Sequence, residues 1–245
     1  MTRKFLLLLL LAVSCPVFAA EEGPSLGFEA DLSDQASLQR GLRLFVNYCM
    51  GCHSAAYMRY NRVGKDLGIP EDVLKSNLMF GTDKTGETMT IAMNPQDAEK
   101  WFGVAPPDLS VTARARGADW LYTYFMTFYR DPSRPTGVNN LRFKDVAMPD
   151  VLWRLQGWQR PVSREESGAD GTVSKSIERL EPETHGTLTE EEYARAVADL
   201  VNFLVYLGEP VKLQRHAIGI WVIAYLLVLL AVVYLLKKEY WKDVH

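Results

Sequence analysis

The sequence predicts a mainly α-helical domain with long ordered loops, followed by one C-terminal transmembrane helix. Three observations lead there. Apolar stripes of helical period recur along the chain, while strand signals are few. Residues 103–117, 131–150 and 154–186 are rich in Pro, Gly and charge, and read as loops. Residues 217–236 are twenty in a row without a charge or a side-chain amide. Composition fits this class. With 48% hydrophobic and 23% charged residues the chain is not intrinsically disordered, and three Cys in 245 residues exclude a disulfide-dense mini-domain. A formal charge of −3 argues against nucleic acid, whose phosphates need a basic face.

The N-terminal residues 1–19 read as a signal peptide. Arg3 and Lys4 precede an apolar run, Phe5 to Val13, that is too short to span a bilayer. Pro16 breaks it, and Val17-Phe18-Ala19 offers a cleavage site after Ala19. Cys15 allows a second reading as a lipoprotein acceptor, ranked below ordinary cleavage. Residues 20–209 then form the exported domain, with a mature formal charge of −5 once Arg3 and Lys4 are lost. Residues 210–245 form the anchor and a short tail, with the span at about 217–236. At 1.5 Å per residue that span is about 30 Å long, the thickness of the hydrocarbon core. Trp221 and Tyr225 flank one end and Tyr234, Tyr240 and Trp241 the other. Export of the N-terminal bulk places the C-terminus in the cytoplasm.

Within the exported domain, residues 35–48 read as a helix capped by Ser33 or Asp34, with Leu38, Leu42, Phe45 and Val46 on one stripe. Asn94-Pro95 opens a short helix to about Phe102. Residues 118–130 put Trp120, Leu121, Tyr124, Phe125 and Phe128 on one helical face, stopped by Asp131-Pro132. A last amphipathic helix starts at Thr189, with Glu192 completing a capping box. Its stripe is Tyr193, Val197, Leu200, Val201 and Leu204, and Gly208-Glu209-Pro210 ends it. Long loops in a compact domain call for something to organise them, and a large buried cofactor would do so.

Cys49-Met50-Gly51-Cys52-His53 carries the chemistry. Cys-x-x-Cys-His is the attachment signature of c-type haem. On a helix the three side chains share one face, so two thiols can bond the two porphyrin vinyl groups while the imidazole meets the iron. A thioredoxin-type site would need a preceding strand. A zinc site would need a second ligand pair at short spacing, and a structural disulfide across two residues would be strained. For the sixth ligand, His185 and His216 fall in polar or membrane-proximal surroundings. Met50 and Met58 lie too near the motif, and Met126 packs on the aromatic helix. Met79, Met89, Met93 and Met148 remain, with Pro149 fixing the backbone at Met148.

At this point the chain resembles the cytochrome c1 family. The resemblance rests on Arg40-Gly41, Val46-x-x-Cys49-x-x-Cys52-His53-Ser54, Pro106-Pro107-Asp108-Leu109-Ser110, Arg114-Ala115-Arg116, Pro135-Thr136-Gly137, Ala147-Met148-Pro149 and the single C-terminal span. It implies a class I-like cytochrome c domain with one covalent haem c on Cys49 and Cys52. It also implies iron ligation by His53 and Met148, Arg116 at a haem propionate and Pro107 against the haem. The implied role is a bacterial inner-membrane electron carrier with its haem domain in the periplasm and no reaction of its own. The implied partners are cytochrome b, the Rieske iron–sulfur protein as donor and a cytochrome c as acceptor, within a dimeric complex. Another anchored carrier, such as the haem subunit of a terminal oxidase, and a haem peroxidase are the alternatives. The first lacks the motifs outside Cys49–His53, and the second needs an open iron site where Met148 stands. The loop at 154–179 is longer than in mitochondrial members, and the extra Cys pair of some bacterial members is absent. Glu165, Glu166 and Asp170 in that loop could steer a basic acceptor.

Overall fold

The computed structural model describes residues 23–167 and 173–243, so the signal peptide at 1–19, with Cys15, lies outside the described residues. Among the described residues, nine α-helices and three separate antiparallel strand pairs follow one another. Helix α1 (Gln35–Leu44) starts where Asp34 accepts the Ser37 N–H at 2.9 Å. It runs on as a π-helical turn, Phe45–Cys49, and its predicted stripe of Leu38, Leu42, Phe45 and Val46 is buried. Next come β1 (Ala55–Arg59), α2 (Tyr60–Asp66), α3 (Glu71–Leu78), β2 (Thr88–Met89) and α4 (Pro95–Phe102). Asn94 caps α4 and Gly103, left-handed at φ 77°, closes it.

The second half holds α5 (Thr112–Arg116), α6 (Ala118–Met126), β3 (Phe128–Arg130), β4 (Val138–Asn140) and α7 (Trp153–Gln156). Then follow β5 (Gln159–Ser167), β6 (Val173–Pro182), α8 (Glu190–Gly208) and α9 (Lys212–Tyr240). Helix α8 begins with the expected capping box, Thr189 and Glu192 each binding the other's backbone N–H. It forms the spine of the core. Tyr193, Val197, Leu200, Val201 and Leu204 are all buried, and the Tyr193 hydroxyl reaches the Phe125 carbonyl of α6 at 2.9 Å.

Helix α1 crosses α8 at close range. A Cβ on Gly41 would sit 2.0 Å from the Asp199 carbonyl oxygen, so only glycine lets the two backbones meet. Arg40 grips Asp199 through two hydrogen bonds of 2.6 and 2.8 Å, and Phe45 meets Phe203 at 5.5 Å between ring centres. Helix α9 has 29 residues, a mean hydropathy of 2.7 in its apolar window and no buried residue there. It is long and apolar enough to cross a membrane.

Four loop or helix expectations change. The helix predicted over 118–130 stops at Met126, and Phe128–Arg130 is a strand paired with Val138–Asn140. The cause is local. The Asn140 amide binds the Tyr124 carbonyl at 2.7 Å, the group that would otherwise accept from Phe128, and the Thr127 hydroxyl folds back on the Thr123 carbonyl. The loop predicted over 154–186 is mostly a long hairpin, β5–β6. Its strands are polar, so no buried alternation announced them. A cross-strand ion pair, Arg160–Glu181 at 2.8 Å, joins them instead. Glu165 and Glu166 accordingly lie on a strand, while Asp170 is outside the described residues. The loops at 103–117 and 131–150 contain α5 and β4 respectively.

Candidate haem site

The Cys-x-x-Cys-His segment sits at the end of the π-helical turn, where α1 delivers it. It is not a regular helix. Residues 50–52 form a turn in which the Cys49 carbonyl accepts from both the Cys52 and His53 N–H groups, at 3.0 and 2.9 Å. That turn keeps the i, i+3, i+4 arrangement expected of a helix. Both cysteines are free thiols, Cys49 buried and Cys52 half-buried. Burial, with Cys52 adding to it, pushes the Cys49 thiol up to about 12, so it stays protonated.

His53 Nδ1 lies 2.7 Å from the Pro107 carbonyl oxygen. That oxygen can only accept, so Nδ1 carries the hydrogen and the Nε2 lone pair is left for a ligand. Burial lowers the His53 pKa against the opposing pull of Pro107 and Asp108, which favours the neutral imidazole that metals bind. The Pro-Pro-Asp-Leu-Ser segment is pinned for this task. Asp108 accepts the Ala56 and Ser110 N–H groups at 2.8 Å each, and Ser110 Oγ accepts from Tyr57 at 3.1 Å. Leu109 N–H binds the Ser54 carbonyl at 2.8 Å. Pro107 thus orients the histidine through its backbone.

A second cluster runs from the end of α5 along α6. The Arg116 guanidinium lies 5.0 Å from the Trp120 ring centre and 5.8 Å from that of Phe143. Trp120 stacks on Tyr124 at 5.1 Å and 11°, and the Tyr124 hydroxyl donates to Met148 Sδ at 3.3 Å. Among the other methionines kept as candidates, Met79 and Met89 are buried core filler, and Met93 is half-buried. Met148 is half-buried and packs against the core from its loop. His185 and His216 are both exposed.

The structure therefore brings Cys49, Cys52, His53 and Pro107 together, and separately connects Arg116 to Met148 through Trp120 and Tyr124. Segment 107–116 joins the two groups, and Cys49 and Tyr124 share one core cluster. From sequence, Tyr124 and Trp120 are members of an apolar stripe and nothing more. Their link to Met148 had no sequence signal, since the residues lie in different elements. Open cavities of about 560 and 710 Å³ flank α1 and are lined by none of these side chains.

The donor set fits a covalently held haem. It offers two free thiols, an imidazole with Nε2 free, and a thioether with one hydrogen-bond donor on its sulfur. Cys49, Cys52 and His53 do not converge as a group that could hold a bare metal ion.

Comparison with known proteins bears on the family. The signature of the cytochrome C1 family covers residues 30–244. Cytochrome c1 of Allochromatium vinosum is 53% identical over 217 residues, spanning 88% of this chain and 87% of that protein. A protein of Nitrosomonas europaea named ammonia monooxygenase gamma subunit is 49% identical over 245 residues, spanning 99% of this chain and 98% of its own length. Cytochrome c1 of Rhodospirillum rubrum is 27% identical over 239 residues, covering 86% and 83% of the two chains. A family signature over nearly the whole chain, on a fold that carries the Cys-x-x-Cys-His turn and its oriented histidine, leaves one conclusion: the chain belongs to the cytochrome c1 family.

Proposed function

We propose that this chain carries single electrons from the Rieske iron–sulfur protein to a cytochrome c within a quinol–cytochrome c reductase. Family membership supports the coarser statement, a membrane-anchored haem-c electron-transfer subunit of a respiratory bc1 complex. That membership implies cytochrome b and the Rieske protein as neighbours. The single observation that carries the site is the His53 Nδ1–Pro107 contact at the end of the Cys49–Cys52 turn. When bound, haem c supplies a one-electron iron couple. In this reading Cys49 and Cys52 hold it by thioether bonds, His53 offers Nε2 and Met148 offers its sulfur. Arg116 places a cation for a propionate, and Pro107 keeps the imidazole in the ligating tautomer. Residues 20–209 form the periplasmic domain after removal of a 1–19 signal peptide. The span at 217–236 holds it in the inner membrane with the C-terminus cytoplasmic, and the complex is dimeric.

Purification in mild detergent without crosslinking tests the partners. Cytochrome b and the Rieske protein should travel with the chain, and their consistent absence refutes the assignment. Acid–acetone extraction should leave haem on the native chain and remove it from a variant carrying Cys49→Ser and Cys52→Ser. Met148→Leu should abolish the near-infrared band of thioether-to-iron(III) ligation; its survival would point to Met93.

A further inference from the structure

Tyr124 is held by everything around it except its hydroxyl. Its ring stacks on Trp120 at 5.1 Å and meets Phe125 and Phe128 edge-on at 5.4 and 5.0 Å. Its carbonyl is taken by the Asn140 amide at 2.7 Å, and the next carbonyl, Phe125, by Tyr193 at 2.9 Å. Packing alone would be met equally by phenylalanine. The polar oxygen sits in an aromatic cluster and costs desolvation, and the acceptor it finds, a thioether sulfur at 3.3 Å, is a weak one. Stability therefore gives little reason for the hydroxyl.

We propose that Tyr124 is a positioning residue for the electron-transfer site, its hydroxyl donating to the sulfur through which Met148 binds iron and thereby raising the reduction potential. This rests on the assignment of Met148 as a ligand made above. A thioether sulfur has two lone pairs. One serves the metal and the other accepts the phenol hydrogen. The hydrogen bond draws density from the sulfur and weakens its donation to iron(III) more than to iron(II), so the reduced state gains. The same contact holds Sδ against rotation of the flexible methionine chain. The aromatic lock places the donor before the group is bound, so orienting it costs little at that point. Trp120 of α6 and Arg116 at the end of α5 continue the line from this donor to the surface, so the two helices carry one connected chain of side chains to Met148.

The test uses the full haem-loaded chain in detergent, with redox titration and near-infrared spectroscopy as readouts. Tyr124→Phe should keep the thioether band, shift its wavelength and lower the midpoint potential. In a Met148→Leu background the same Tyr124→Phe change should leave the potential where that background sets it. A fluorinated tyrosine at position 124, a stronger donor, should raise the potential above the native value. An unchanged potential and band in Tyr124→Phe overturns the proposal. So does an equal drop in the Met148→Leu background, which would show the phenol acting through something other than this sulfur. Failure of the parent assignment looks different. There Met148→Leu by itself retains the band.

Discussion

Replacing Gly41 with alanine probes the crossing that aims the Cys49–His53 turn. The added Cβ would lie 2.0 Å from the Asp199 carbonyl oxygen and 2.7 Å from the Phe203 Cβ. Helices α1 and α8 must part by about 1 Å before that contact reaches even the shortest separations real Cβ atoms show. The displaced atoms are backbone, which cannot swing aside, so the overpacking cost lies at the upper end of its range, about 3 kcal/mol. Separation also stretches the Arg40–Asp199 pair, whose arginine is half exposed, for about 1 kcal/mol more. Alanine's better helix propensity returns about 1 kcal/mol. The net expectation is a loss of about 3 kcal/mol, roughly a hundredfold in the folded-to-unfolded ratio. Urea unfolding of the haem-loaded chain in detergent, followed by circular dichroism, reads this as a lower midpoint at unchanged slope. Gly86→Ala serves as the control, because a Cβ there meets nothing within 4 Å and should change stability by no more than about 0.5 kcal/mol. A loss under about 1 kcal/mol for Gly41→Ala would show that the helices do not approach this closely.

Thr189→Ala removes the hydroxyl that caps α8 and should cost about 1 kcal/mol in the same unfolding experiment, with no change in haem spectrum. Truncation after Glu209 removes α9 and its ion pair from Arg215 to Glu209, and should release a soluble haem-loaded domain on cell fractionation. Recovery of that domain in membranes without its partners would point to lipidation at Cys15. Electron transfer to a basic cytochrome c should slow as ionic strength rises from about 0.1 to 1 M, where the screening length falls from about 10 to 3 Å. Neutralising Glu165, Glu166 and Asp170 should flatten that slope, and a native rate indifferent to salt rules out docking on an acidic face.

The Cys-x-x-Cys-His turn, the helices at Asp34, Asn94 and Thr189, and the apolar C-terminal helix were legible because each depends on neighbours within a turn or two. A capping side chain meets a backbone N–H two or three residues on, and a thiol pair with its histidine fits within five positions. The buried stripes of α1 and α8 are read the same way, since helical period is a property of consecutive residues. What the sequence could not supply was every contact made across the fold. Phe128 fits the α6 stripe by spacing, yet Asn140, twelve residues later, takes the carbonyl that would have extended the helix. The β5–β6 hairpin gives no sequence signal because its strands are mostly polar and lack a clean apolar alternation. Gly41 looks like any helical glycine until α8 arrives 2.0 Å from where its side chain would be. Pro107 becomes a partner of His53, and Tyr124 a partner of Met148, only once segments 54 and 24 residues apart are folded together. Local order follows from backbone geometry and short-range hydrogen bonds. The orientation of His53 and the environment of the Met148 sulfur follow from packing between distant segments, which no window of sequence contains.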